Sequence, residues 1–201
     1  MRLAFVTLLA LAATPALAQS DVGPGTANPA QVAAGTYAVD PLHTQVLFTV
    51  KHMGFSIYTG QFTQPTGTLV LDPKRPAADK VDISFPTDKA VTTVAHLNEH
   101  LASDQFLDSA KFPTARFVST NVTVSGTKAT IAGTLTLHGV TRPVVLDARF
   151  IGGGVNPMSK KPTIGFQATT TIKRSDYGVT FLTDLVSDSV PLTINAAFEG
   201  Q

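Results

Sequence analysis

From Val46 to His52 the chain alternates strictly, so that Val46, Phe48, Val50 and His52 fall on one face of an extended strand and Leu47, Thr49 and Lys51 on the other. The same two-residue period returns at Ile131, Leu135 and Leu137, at Val144, Leu146, Ala148 and Phe150, at Ile164, Phe166, Ala168 and Ile172, and at Leu192, Ile194, Ala196 and Phe198. Several strands, each with one apolar face, must turn those faces away from water. A sheet closed on itself does this and leaves no open edge. The expected fold is therefore all-β, an antiparallel barrel of about eight strands, whose interior is either a packed core or a pocket for an apolar ligand. Twelve Phe against three Tyr and no Trp suit either interior, because Phe adds apolar area without a polar atom to satisfy.

Ahead of the strands, Met1 to Ala18 carries one charge at Arg2, an apolar run from Leu3 to Ala13 and the small-residue sequence Ala16-Leu17-Ala18. This predicts a cleaved secretory signal peptide over 1–18. The run is shorter than the roughly 20 residues a membrane-spanning helix needs. An exported chain with no cysteine has no disulfides and depends on its own core. Gln19 to Gly35, rich in Pro, Gly, Ala and Ser, reads as a flexible lead-in, and 36–201 as one folded domain. Turn signals punctuate it at Met53-Gly54, Pro65-Thr66-Gly67, Asp72 to Pro76, Ser125-Gly126-Thr127, His138-Gly139 and Gly152 to Pro157. One segment departs from the strand period. Thr93 to Asp108 places Leu97 and Leu101, and His96 and His100, four apart, which predicts a helix capped by Thr93 and a second short one, capped by Ser103 or Asp104, carrying Phe106 and Leu107. This insertion is expected across one mouth of the barrel.

Charge and motifs remove several function classes. A net charge of +1 with scattered basic residues does not suit a nucleic-acid partner. His96 and His100, with Glu99 between, have the spacing of a helical metal pair, but no third ligand is picked out and the His-Glu-x-x-His order is missing. There is no Gly-x-Ser-x-Gly, and no Gly-x-Gly-x-x-Gly after a strand. The Asp residues sit mainly in turn contexts such as Asp40-Pro41 and Asp72-Pro73. The chain reads as a binding protein and not an enzyme.

Five segments carry a more specific signal: Tyr37 to His43, His43 to Ser56, Asp104 to Asp108 followed by Phe112-Pro113 and Phe117, Leu135 to Val144, and Thr171 to Val179. In this order and spacing the chain resembles the YceI-like family of exported lipid-binding proteins, from about Thr36 to Phe198. The resemblance implies a lipocalin-like barrel with a helical segment near one end and an apolar tunnel for a polyisoprenoid or another long-chain amphiphile. It also implies a periplasmic location and, in some relatives, a homodimer. The family's recurrent polar positions match His43, His52, His138, Arg174, Asp176 and Tyr177 here.

The residues expected to line the tunnel are Val46, Phe48, Val50, His52 and Phe55, then Leu97, Leu101 and Phe106 of the insertion, Phe117, Leu135, Phe166 and Ile172 of later strands, and Arg174 and Tyr177. His52 is either a polar contact for a lipid head group or a core histidine bonded to a backbone carbonyl. His138-Gly139 is expected in a hairpin turn. Arg174 and Asp176 suggest an ion pair fixing a strand end, with a phosphate or quinone head as the other partner open to Arg174. The leading expectation is a periplasmic carrier of a non-covalently held polyisoprenoid lipid, a polyprenyl quinone or related fatty lipid, in transient contact with a membrane. The alternatives are a metal-dependent hydrolase using His96 and His100, and a filled structural barrel without ligand.

Overall fold

The computed structural model describes residues 23–201, so the expected signal peptide over 1–18 lies outside the described residues. Eleven strands and one α-helix follow in order: β1 Gly35–Val39, β2 Gln45–His52, β3 Ser56–Phe62, β4 Thr66–Leu71, β5 Lys80–Pro86, β6 Ala90–Val91, α1 Ala95–Ala102, β7 Thr114–Ser125, β8 Lys128–Leu137, β9 Val140–Val155, β10 Pro162–Lys173 and β11 Ser189–Gly200. All pairings are antiparallel, and β11 closes the sheet by pairing with β10, β1 and β2.

The first six strands are three interrupted staves. β1 and β2 run in the same direction along β11, β4 and β3 lie against them in turn, and β5 and β6 against those. Counting β1 with β2, β3 with β4 and β5 with β6, the barrel is an eight-stave up-and-down meander. Its upper end carries the β2–β3 and β8–β9 turns, α1 and the segment between β10 and β11; its lower end carries the β4–β5, β7–β8 and β9–β10 connections.

Two features set the inward faces. The His138-Gly139 turn has both residues at positive φ, 51° and 73°, the type I′ geometry that suits the twist of a two-residue hairpin. A Cβ on Gly139 would also lie 2.5 Å from the Phe112 ring. Gly139→Ala should therefore cost about 2 kcal/mol in a urea titration; a loss within 0.5 kcal/mol would show, on the usual scale of neutral changes of about that size, that the turn relaxes freely. The second feature is a pair of bulges. Pairing slips between Ser119 and Asn121 in β7, and opposite Gly165 and Phe166 where β9 meets β10. Each swaps faces, so Phe117 and Val122 both point inward, as do Phe150 and Gly153.

Several local expectations are corrected. Gly152 to Val155 is not a loop but the end of β9. Thr26 of the presumed flexible lead-in pairs with Gly153, and Tyr37 donates its hydroxyl to the Ala33 carbonyl at 2.7 Å. Residues 24–35 thus pack on the lower end instead of trailing from it. Of the two short helices, only α1 forms; Ser103 to Leu107 is a run of turns. Its cap is not Thr93. Asn98 reaches back to accept from the Thr92 backbone N–H and hydroxyl at 2.6 and 2.7 Å, and Thr92 accepts from the Val94 N–H.

Candidate functional site

The strand parity read from the sequence turns its apolar faces into the barrel, where they surround a cavity of about 900 Å³. It runs from His52, Ser56 and Thr92 at the upper end to Asp79 and Lys128 at the lower. The interior is open because small side chains form a belt across the wall. Ala129 lies opposite Ala148 and Ala148 opposite Ala168, from β8 through β9 to β10, with Ala196 beyond on β11. An eight-strand barrel is just wide enough to be filled by side chains or to hold one small ligand. The alanine belt decides between them, and the expected alternative of a filled barrel is corrected.

Most of the expected lining residues meet in this cavity: Val46, Phe48, Val50 and His52 from β2, Phe117, Leu135, Phe166 and Ile172 from β7, β8 and β10, Leu97 and Leu101 from α1, then Phe106 and Arg174. Phe48 packs on Phe62 and lies so close to β3 that a Cβ on Gly60 would sit 2.3 Å from its ring. Two expected residues stand elsewhere. Phe55 follows the β2–β3 turn and is 88% exposed, because the turn carries it past the last inward position. Tyr177 is buried at 2% among Ala90, Leu107 and Leu137, so it wedges the upper wall and does not face the cavity. Val39, Leu69, Leu71, Ile83 and Phe85 line the lower half and escape sequence reading, because β1, β4 and β5 are too short to show a clear period.

The polar groups sort by end. His52 and Ser56 face each other across the β2–β3 pair at the mouth; both are exposed, and neither side chain hydrogen-bonds a described residue. His52 is exposed, so the expectation of a core histidine on a carbonyl is corrected. Tyr58 and Thr92 also border this mouth, and Asp79, Lys128 and Arg149 the lower one.

Arg174 differs from both of its expected roles. Its side chain is buried, and its Nε, Nη1 and Nη2 donate to the carbonyls of Ser187, Val179, Phe181 and Val186 at 2.7–3.2 Å. No carboxylate among the described residues pairs with it within 4.0 Å, and Asp176 is not its partner. Burial pushes its pKa down from the ordinary arginine value, opposed by the negative charge of Asp188. Asp188 in turn accepts from the Ser175 N–H and hydroxyl at 2.8 Å, and that backbone bond holds its carboxyl below the usual carboxylate range. Arg174 thereby clamps the segment 179–187 over the upper end with most of its donors committed.

The segment is tied to the helix as well. Phe181 meets Phe106 edge-on at 5.5 Å, and His100 packs on both rings while bonding Gln105 at 2.7 Å. His96 is turned to solvent beside Glu99, and no group of three or more His, Cys, Asp or Glu converges among the described residues. The spacing that suggested a metal pair serves an aromatic cluster on one side and water on the other. His138 bonds the Tyr177 carbonyl at 3.0 Å, and His43 pairs with Asp40 in the break between β1 and β2, outside the cavity.

Comparison with known proteins places this geometry. A model of the YceI-like domain matches residues 37–198. A UPF0312 protein of Pectobacterium atrosepticum is 39% identical over 194 residues, covering 96% of each chain. Among solved structures, BcnA of Burkholderia cenocepacia superposes with a TM-score of 0.71 at 23% identity, covering 79% of this chain and 98% of its own. A polyisoprenoid binding domain from Saccharophagus degradans superposes at 0.61 with 17% identity, covering 82% and 98%; both likenesses are of fold.

Proposed function

The chain belongs to the YceI-like family, and from that membership together with the end-to-end apolar cavity we propose that it is a periplasmic carrier enclosing one long-chain isoprenoid lipid. The observation that carries the reading is the cavity's shape and lining. A water-sized group takes about 30 Å³, so about 900 Å³ holds on the order of thirty such groups. Strands β10 and β11, twelve residues each, are roughly 40 Å long, which suits an extended tail. Each buried methylene contributes about 0.8 kcal/mol, so even a partly enclosed tail outweighs the ordering costs of binding.

The polyisoprenoid binding domain of similar fold supports the ligand class. In this reading a polyprenyl quinone sits with its head at the upper mouth, where the Ser56 hydroxyl and a His52 ring N–H are free to donate to a quinone carbonyl. Arg174 is excluded as the principal head contact by its four carbonyl bonds. The protein's work is binding and shielding, with no bond made or broken.

Native mass spectrometry of the freshly purified chain, followed by organic extraction, tests this. One isoprenoid per protein is expected, and the same spectrum reads the oligomeric state. A protein that arrives empty and stays empty when offered polyprenyl quinones and fatty amides would overturn the carrier reading.

A further inference from the structure

Six large apolar side chains protrude around the upper mouth. Phe55 is 88% exposed, Ile57 70%, Val94 49%, Met53 45%, Leu185 44% and Leu182 40%. They belong to one rim. The Met53 N–H donates to the Leu185 carbonyl at 2.6 Å, His52 bridges Val186, and Tyr58, next to Ile57, reaches Thr93, next to Val94. The other exposed large apolar residues are spread over the rest of the barrel, with Leu42 in the β1–β2 break, Val70, Val145 and Ile151 on strands, Val124 at the lower mouth, Val155 at the end of β9 and Met158 in the β9–β10 turn.

The turn itself shows that this surface is not incidental. Met53 and Gly54 take φ of 52° and 72°, and the Phe55 N–H closes the turn on the His52 carbonyl at 3.0 Å. That geometry favours Asn at the first of the two positions, and the chain places a methionine there and a phenylalanine after it. A local rule broken in favour of exposed apolar surface is the mark of a contact site.

We propose that the barrel docks mouth-first on a zwitterionic lipid bilayer through this rim, so that cargo passes between membrane and cavity without crossing water; this rests on the carrier reading above. One observation favours a bilayer over a second copy of the chain. The six side chains expose on the order of several hundred Å² of apolar surface, large for a soluble monomer. The rim is continuous with the cavity wall, since Ser56, Thr92 and Val186 line the mouth beside Phe55, Val94 and Leu185. Whatever covers the rim is therefore the phase into which an apolar ligand emerges. Lys51, Lys173 and Asp184 stand exposed at the same end, so the rim presents mixed charge and calls for no anionic lipid.

The absence of tryptophan from the whole chain supplies a clean reporter. Phe55→Trp should shift its emission to the blue when phosphatidylcholine vesicles are added, and the shift should survive high salt because the contact is apolar. Phe55→Ser with Ile57→Ser should keep the thermal melting point and reduce co-flotation with the same vesicles at least about tenfold, since each buried side chain of this size changes partition by about that factor. An unshifted spectrum, or equal flotation of the double variant, would overturn the proposal. So would a blue shift that grows with protein concentration without vesicles, which would assign the rim to a second copy. The reporter needs no cargo, so its failure is separate from that of ligand extraction.

Discussion

Arg174→Met should destabilise the protein by about 3–5 kcal/mol, because it strands the carbonyls of Val179, Phe181, Val186 and Ser187 and each buried acceptor left unpaired costs about 1–3 kcal/mol. The loss falls on one place. Segment 179–187 covers the upper end and has little else to hold it, apart from the Phe181 contacts and the bonds of Met53 and Ser187 to neighbouring backbone. Urea unfolding would measure the total, and amide hydrogen exchange would show faster opening at 179–187 than in β8 to β10. Arg174→Lys should recover only part of the stability, since one ammonium cannot span acceptors spread around a planar fork. A cost below 1 kcal/mol for Arg174→Met, with the segment still protected, would mean that the clamp is redundant, because breaking so many bonds is expected to cost about three times that.

The second large effect is on binding. Ala148→Phe with Ala168→Phe replaces two facing members of the alanine belt by rings that fill the cross-section of the cavity. Affinity for a long-chain quinone should fall about a hundredfold or more, as several methylene-sized groups lose their enclosure at about 0.8 kcal/mol each. The melting temperature should fall by no more than a few degrees, since the rings extend into the cavity from an alanine cluster that also touches Phe117, Ile172 and Ile194. Isothermal titration in detergent solution, beside thermal unfolding, separates the two effects. Unchanged affinity in the folded variant would place the ligand somewhere other than this cavity.

The barrel was legible because its long strands keep their period. β2, β8, β10 and β11 alternate over eight or more residues, and a slip of one residue would turn every apolar side chain outward. β7 hides its inward face because the irregularity near Thr120 shifts the parity between Phe117 and Val122. Gly152-Gly153-Gly154 reads as a loop because glycine is rare in strands, yet here the bare backbone is what Thr26 pairs with. The site was legible in its walls and not in its openness. Alanine at Ala129, Ala148 and Ala168 looks like ordinary strand filler until register sets the three side by side. Arg174 read as half of an ion pair fixing a strand end, but its partners are backbone carbonyls, which every residue carries and no sequence pattern singles out.

The last strand, β11, lies against β10, β2 and β1 at once, so residues from the two ends of the domain, such as Tyr37 and Gly200, are neighbours. Every other stave pairs with the one next to it in the chain and can do so as soon as both are made. Closing the ring brings together the most distant partners, the kind of contact that makes β-barrels fold in milliseconds to seconds. Until those twelve residues arrive, the sheet has two bare edges and no inside. A chain cut before Ser189 would keep most of its apolar wall and hold nothing, and a growing chain is most exposed to clumping just before β11 is made. Enclosure arrives with β11 and is absent from the strands before it.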